Sequence, residues 1–187
     1  MAGPGYLRRL LRTAFAYQVS DLVSKPLAIL LLPVYTRHLT ESDYGLAELV
    51  GAGVVFFSIV VRLGIGEAFV RYHYEEKDTA GRNELARRSV LSLLAVSTTV
   101  CALIYLFAGP IAEFTLDMRD PTIVKIGALG LWAFSNLELA QALLRVEEKA
   151  LQYAICSITN VLITVSLTVW LVVFRGDGAN GLLFGNY

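Results

Sequence analysis

The chain has 187 residues, of which 56% are hydrophobic and only 17% are charged, and its formal net charge is zero. Soluble domains usually carry about a quarter of charged residues, and a net charge of zero gives no general attraction toward nucleic acid. The sequence contains no glycine-rich phosphate loop after a strand, no nucleophile elbow and no metal-ligand spacing. We therefore expect neither an enzyme nor a cofactor or metal site, and no nucleic-acid partner.

Long apolar segments predict an all-α membrane protein, because a helix needs roughly 20 mostly apolar residues to cross a bilayer. Five full transmembrane segments are predicted, over residues 13–35, 44–65, 89–107, 122–144 and 151–174, and a sixth begins near Gly181. The third segment, and the fifth from Val161 onward, carry no charged face, which a soluble helical protein would need. We predict a polytopic membrane helix bundle that forms a single transmembrane domain over residues 1–187.

Basic residues in the short connections predict the orientation of the bundle. Most of them lie before the first segment, between the second and third, and between the fourth and fifth. They are Arg8, Arg9, Arg12, Arg71, Lys77, Arg82, Arg87, Arg88, Arg145 and Lys149. The other connections carry only Arg37, Arg119 and Arg175. The more basic set is predicted to be cytoplasmic, which places the N-terminus in the cytoplasm and the protein in the cytoplasmic (inner) membrane.

The first segment is interrupted by polar residues, since Gln18, Asp21 and Lys25 are separated by three and four residues and share one helix face. Ionisable groups inside a bilayer are costly and usually face the bundle interior or a water-filled cavity. Two interpretations stay open: Asp21 and Lys25 either belong to a charged site in a central cavity, or form an ion pair that holds this helix against a neighbour. Pro26 removes one backbone hydrogen bond and is expected to kink the helix.

The second segment contains Glu48 and Arg62, fourteen residues apart and therefore on nearly the same helix face, about four turns from each other. Arg62 is near the predicted cytoplasmic end, where it either lines a cavity or extends to the lipid headgroups. The same choice applies to Arg71, which lies at the predicted membrane surface.

The fourth and fifth segments each carry a row of polar residues at spacings of three and four. Glu138 and Gln141 belong to the first row, and Asn160 and Thr164 belong to the second. We predict that these four residues form a polar seam, with interhelical hydrogen bonds between the two segments as the favoured interpretation. The third segment has only scattered Ser and Thr residues, so it is expected to face lipid or to pack passively.

Several stretches of this sequence resemble a known family. They are Lys25-Pro26 through Pro33, Tyr35-Thr36-Arg37, Leu39-Thr40, Asp43-Tyr44-Gly45-Leu46, Leu63-Gly64-Ile65-Gly66, the run from Ala68 to Tyr72, and the glycine-rich run from Gly176 to Gly185. Together they look like the N-terminal half of the polysaccharide biosynthesis flippases. These are the Wzx-like lipid-linked oligosaccharide transporters of the MOP superfamily, to which the MATE transporters also belong.

The resemblance implies a function. Members of the family move undecaprenyl-pyrophosphate-linked oligosaccharides across the cytoplasmic membrane, and cationic residues in their central cavity attract the pyrophosphate. Carried onto this sequence, the resemblance makes Lys25, Arg62 and Arg71 candidate pyrophosphate-binding residues. Asp21 then either neutralises Lys25 or carries a coupling ion. The expected partners are a lipid-linked oligosaccharide and membrane lipids.

The resemblance also implies a second half, because transporters of this family alternate access between two similar halves. The chain is therefore expected to be part of a longer transporter, or to pair with a second half-transporter or with a copy of itself. Gly181 and Gly185 form a GxxxG pattern that suits such pairing. The alternative functions are a MATE-type small-molecule antiporter, or a membrane enzyme or non-transporting scaffold of envelope polysaccharide assembly.

Overall fold

The computed structural model describes residues 26, 27, 31–117 and 119–187, and within these ranges the chain forms helices and short connections without a strand. The first described helix, α1, covers residues 31–38. It is followed by α2 (Glu41–Arg62), α3 (Ile65–Glu75), α4 (Thr79–Leu106), α5 (Ala108–Leu116), α6 (Thr122–Val146), α7 (Ala150–Val169) and α8 (Gly178–Asn186). A π-helical stretch, Trp170–Arg175, continues α7 without a break. Asp21 and Lys25 lie outside the described residues.

Four of the described helices are long and apolar enough to cross a membrane: Glu41–Arg62, Thr79–Leu106, Thr122–Val146 and Ala150–Arg175. They confirm the second to fifth predicted segments. The first predicted segment lies mainly outside the described residues, so the count of five is a prediction for that segment. The expected sixth segment corresponds to α8, which begins at Gly178 rather than near Gly181.

The start of α2 is fixed by a capping box. The Thr40 hydroxyl oxygen accepts a hydrogen bond from the Asp43 backbone N–H at 3.1 Å, and the Asp43 carboxylate accepts one from the Thr40 backbone N–H at 3.2 Å. The carboxylate also lies close to the first turn of α8, where it interacts with the backbone N–H of Ala179. Thr40 and Asp43, which belong to the stretches that resemble the family, therefore have a structural role. They cap the start of α2, and Asp43 also contacts the start of α8.

The stretch after α2 differs from the predicted loop. Leu63 and Gly64 both have left-handed backbone angles, with φ of 47° and 72°, and this geometry ends α2 as glycine commonly ends helices. The chain then forms α3, whose Phe69 is fully buried with 1% of its surface exposed. A separate short helix arises here because one aromatic anchor holds it against the bundle, a contact that the local sequence pattern does not show.

The third predicted segment begins earlier than expected, at Thr79 instead of Ser89, and it does not pack passively. It packs most extensively against α6. Asn136 of α6 donates a hydrogen bond to the Ser97 hydroxyl at 3.1 Å, and the Trp132 indole donates one to Thr98 at 3.1 Å. The scattered Ser and Thr residues of α4 are thus its interhelical contacts, as expected for polar side chains between membrane helices.

The glycine pair in α8 is used inside the chain. A Cβ at Gly185 would lie 2.7 Å from the Thr168 backbone nitrogen, and one at Gly181 would lie 3.1 Å from the Leu171 Cβ. Both glycines are buried. The prediction that this GxxxG pattern pairs with another chain is therefore wrong for these two positions, because the close approach that it permits is already made between α8 and the helix that precedes it.

Candidate functional site

A cavity of about 610 Å³ lies between α1, α2, α7 and α8. Its walls are mostly apolar, as in ligand sites in general, with a few convergent polar groups. The polar lining consists of Tyr35, Tyr44, Glu48, Asn160, Thr164, Asn186 and Tyr187. The helices that carry these polar groups expose large apolar side chains on their other faces. Because polar groups in membrane-spanning helices are costly when they face lipid, the cavity is the first candidate for a functional site.

A second cavity of about 300 Å³ adjoins the first one. It is lined by Glu138 and Gln141 of α6, and it shares Asn160, Asn186 and Tyr187 with the larger cavity. The Tyr187 hydroxyl donates a hydrogen bond to the Gly51 carbonyl oxygen at 3.3 Å, which holds the ring between the two cavities. The two cavities therefore adjoin each other along α6, α7 and α8, and together they form the polar-lined region of the bundle.

All four residues of the predicted polar seam border this region. Glu138, Gln141 and Asn160 line the smaller cavity, and Asn160 and Thr164 line the larger one. None of these four described side chains is hydrogen-bonded to the other segment, whereas Arg145 of α6 lies over the Tyr153 ring of α7 at 5.9 Å. Glu138 instead pairs with α2, and Thr164 accepts a hydrogen bond through its own carbonyl from Thr168, at 2.7 Å, within α7.

Arg62 is brought to Glu138 by the packing of α2 against α6. Its Nη1 donates a hydrogen bond to Glu138 Oε2 at 2.9 Å, and its Nε donates to the Ser58 carbonyl oxygen at 3.2 Å. The pair is partly buried, with 24% of the Arg62 side chain and 34% of the Glu138 side chain exposed. It borders a small cleft of about 150 Å³ that also contains Glu67 and Arg145. Arg62 thus lies beside the polar region and already has an anionic partner.

Arg71 lies on the surface of α3. Its side chain is 76% exposed and forms an ion pair with Glu75, at 3.2 Å, one turn further along the same helix. Such exposed pairs contribute little to stability. The structure therefore places Arg71 at the end of the bundle, outside the cavities that contain Glu48 and Glu138.

Lys25 and Asp21 are outside the described residues, so their predicted site is not located by the structure. Leu27, two residues beyond Lys25 in the sequence, lines the larger cavity. The predicted role of the first segment stays a prediction.

Glu48 is the main site residue that sequence reasoning did not select. The sequence pattern relates Glu48 only to Arg62, yet the two residues border different cavities. Glu48 faces the cavity formed with α7 and α8, whereas Arg62 faces α6 and α3. The signal was present, because a carboxylate inside an apolar segment indicates a functional site by default. The fourteen-residue spacing leaves the two side chains about 40° apart around the helix, enough for them to meet different neighbours.

A further cavity of about 730 Å³ lies at the end of the bundle where the starts of α2, α6 and α8 meet. Two of its carboxylates, Asp43 and Asp120, bind helix N-termini, as acidic side chains often do. Asp120 accepts hydrogen bonds from the Thr122 backbone N–H at 3.0 Å and from its hydroxyl at 2.6 Å, and these bonds lower the pKa of Asp120. Asp177 pairs with Arg175 at 3.3 Å. We interpret this cavity as a structural junction of loops.

The positions of the described helix ends also support the prediction that successive connections lie at opposite ends of the bundle. The starts of α2, α6 and α8 meet at one end. The start of α3 and the end of α6, with Arg145, meet at the other, which is the end that carries the more basic connections. The fold therefore separates the two sets of connections in the way that the sequence predicts.

Comparison with known proteins agrees with these observations. The family described as polysaccharide biosynthesis protein matches the chain over residues 10–185. No curated protein and no solved structure matches the chain. The matched range includes the four described helices that are long and apolar enough to cross a membrane, and all lining residues of the two adjoining cavities except Asn186 and Tyr187. The chain is a membrane protein that belongs to the polysaccharide biosynthesis protein family, the family of the Wzx-like flippases in the MOP superfamily.

Proposed function

We propose that the protein moves an undecaprenyl-pyrophosphate-linked oligosaccharide across the cytoplasmic membrane during polysaccharide biosynthesis. The observation that carries the proposal is the pair of adjoining cavities, each with several polar lining residues, within a bundle of apolar helices. A polar path at membrane depth is what a sugar headgroup needs in order to cross a hydrocarbon layer. Membership of the polysaccharide biosynthesis family also supports a transport function, since its members are typically transporters rather than enzymes.

In the proposed mechanism the pyrophosphate is attracted by cationic side chains. Arg71 meets it first at the cytoplasmic surface, and Arg62 and Lys25 follow. Arginine suits this role because its planar guanidinium binds phosphate oxygens in a bidentate way. The sugars then occupy the polar cavities, while the lipid tail stays in the bilayer. The N-terminus is proposed to be cytoplasmic, in keeping with the basic connections at the end that contains Arg71.

The Arg62–Glu138 pair adds a condition to this mechanism. Arg62 has five N–H donors and uses two of them, for Glu138 and for the Ser58 carbonyl, so a phosphate either joins Glu138 at the guanidinium or replaces it. Removing one member of a partly buried pair leaves an uncompensated charge, which is costly. A phosphate that replaces Glu138 must therefore neutralise Arg62, and the released carboxylate needs a new partner.

We further propose that a second lobe covers the cavities, either within a longer transporter or from a second half-transporter or copy. Glu48 and Asn160 are exposed in the described chain although they lie in membrane-spanning helices. Lipid tails offer no hydrogen bonds to such groups. A protein wall opposite them, enclosing water or substrate, removes this cost.

The test is transport in vesicles. The purified chain, and any longer natural product that contains it, is reconstituted with a fluorescent undecaprenyl-pyrophosphate oligosaccharide, and movement between leaflets is measured by accessibility to an added quencher. We expect transport above that of protein-free vesicles, reduced at least tenfold by Lys25→Ala or Arg62→Ala. Arg119→Ala is the matched control, because Arg119 is an exposed arginine in the connection before α6 and lines neither of the two adjoining cavities. Transport equal to that of empty vesicles would rule out the proposed function.

A MATE-type antiporter of organic cations is the second candidate, and Glu48 favours it. The described lining of the larger cavity contains one carboxylate and no basic side chain. Uptake of a quaternary ammonium dye by the same vesicles, with no movement of the lipid-linked oligosaccharide, would indicate this function. A scaffold of polysaccharide assembly would transport neither.

A further inference from the structure

We propose that Glu48 recognises a positively charged amino group on the sugar part of the transported substrate. The inference rests on the proposed function and adds a substrate class to it, namely oligosaccharides that contain at least one unacetylated amino sugar. It concerns the larger cavity and not the cationic residues that attract pyrophosphate.

The first argument is the contrast between two carboxylates in membrane-spanning helices. Glu138 has an arginine partner at 2.9 Å. Glu48 forms no ion pair with any cation in the part of the chain that the structure describes. It lies seven residues into α2, roughly 10 Å along the helix axis from Glu41. A carboxylate at that depth needs a counter-charge, and a cationic ligand in the cavity supplies one.

The second argument is the chemistry around Glu48. Tyr44, one turn earlier on the same helix, lines the same cavity as Glu48 and offers a hydroxyl group. Tyr35 and Tyr187 line the same cavity, and aromatic faces attract cations. Asn160 and Asn186 are neutral and carry both donors and acceptors, which match the hydroxyl groups of a sugar. The volume of about 610 Å³ lies in the usual range for small-ligand sites.

The same lining argues against a divalent metal cation. Calcium and magnesium are held by six or more oxygen ligands, usually with several carboxylates. Among the described residues, no group of three or more His, Cys, Asp or Glu is arranged to hold a metal ion. An ammonium group needs fewer oxygen ligands, because its three N–H donors are satisfied by one carboxylate together with hydroxyl or amide oxygens.

The experiment compares two soluble probes, the glucosamine tetrasaccharide and the N-acetylglucosamine tetrasaccharide. Binding to the purified chain in lipid nanodiscs is measured by calorimetry. We expect the amine probe to bind about tenfold more tightly, which is the factor that one charge-assisted hydrogen bond gives. Glu48→Gln should remove this preference. Glu48→Asp keeps the negative charge and should keep part of the preference for the amine probe. This variant separates loss of charge from loss of fold. Glu113→Gln is the matched control, because Glu113 is an exposed carboxylate on α5.

Two results would overturn the inference. One is equal binding of both probes, or of neither, by the native chain, and the other is a preference that survives Glu48→Gln. The vesicle assay keeps this failure separate from failure of the proposed function. If the lipid-linked oligosaccharide still crosses the membrane, transport stands and only the amino-sugar preference is wrong.

Discussion

The Arg62–Glu138 ion pair gives the sharpest prediction on stability. It joins residues that are 76 positions apart in sequence, and so it connects α2 to α6 directly. We consider the cycle of Arg62→Gln, Glu138→Gln and the double variant, because glutamine keeps hydrogen-bonding capacity and most of the side-chain volume. The coupling free energy of the cycle isolates the interaction between the two side chains from the effect of each substitution alone.

The expected magnitude follows from burial. Exposed ion pairs one turn apart on a helix contribute about 0.3–0.5 kcal/mol, whereas removing one member of a fully buried pair costs about 3–5 kcal/mol. With 24% and 34% of the two side chains exposed, the Arg62–Glu138 pair lies between these limits. We therefore expect a coupling free energy of about 1–2 kcal/mol.

The assay is unfolding by sodium dodecyl sulfate in mixed micelles, followed by far-ultraviolet circular dichroism. The chain offers a matched control in the Arg71–Glu75 pair, which has the same chemistry but is 76% and 56% exposed. Its cycle should give a coupling of about 0.5 kcal/mol or less. The reasoning is refuted if the two cycles give the same coupling, or if the larger value belongs to the Arg71–Glu75 pair.

Three further predictions follow from local contacts. Gly185→Ala should lower the free energy of unfolding by about 1–3 kcal/mol, because the added Cβ meets the Thr168 backbone; an unchanged micelle unfolding midpoint would contradict this. Thr40→Ala should cost about 1 kcal/mol in the same assay through loss of the α2 cap, and no loss would show that the cap is dispensable. The Asp120 carboxyl, whose pKa is lowered by Thr122, should titrate in nuclear magnetic resonance at a lower pH than an ordinary aspartate. Its contribution to stability is present above the unfolded-state pKa and is lost as the pH falls through the folded-state pKa, and Thr122→Val should move the titration back up.

The membrane architecture was readable from sequence because it depends on local composition. Apolar stretches long enough to cross a bilayer give helices in almost any context, since the backbone must satisfy its own hydrogen bonds in lipid. Thr40 and Asp43 likewise form a capping box from residues three positions apart. The alternation of basic and less basic connections required only counting.

The α3 helix and the early start of α4 were not predicted, and both depend on more than composition. The Phe69 side chain is buried only because the rest of the bundle is present. Glu84 forms ion pairs with Arg87 and Arg88, at 2.9 and 2.7 Å, and such pairs extend a helix beyond the apolar segment into the aqueous region.

The sequence by itself determined that this is a polytopic helical membrane protein, where four of its membrane-spanning helices lie, and which family it resembles. Only the tertiary structure decided which polar residues meet. Helical periodicity tells which residues share a face, but it does not say which helix that face will contact. For this reason only the structure shows that Arg62 pairs with Glu138, that the GxxxG glycines pack against α7 and its π-helical continuation, and that Glu48 lines the larger cavity.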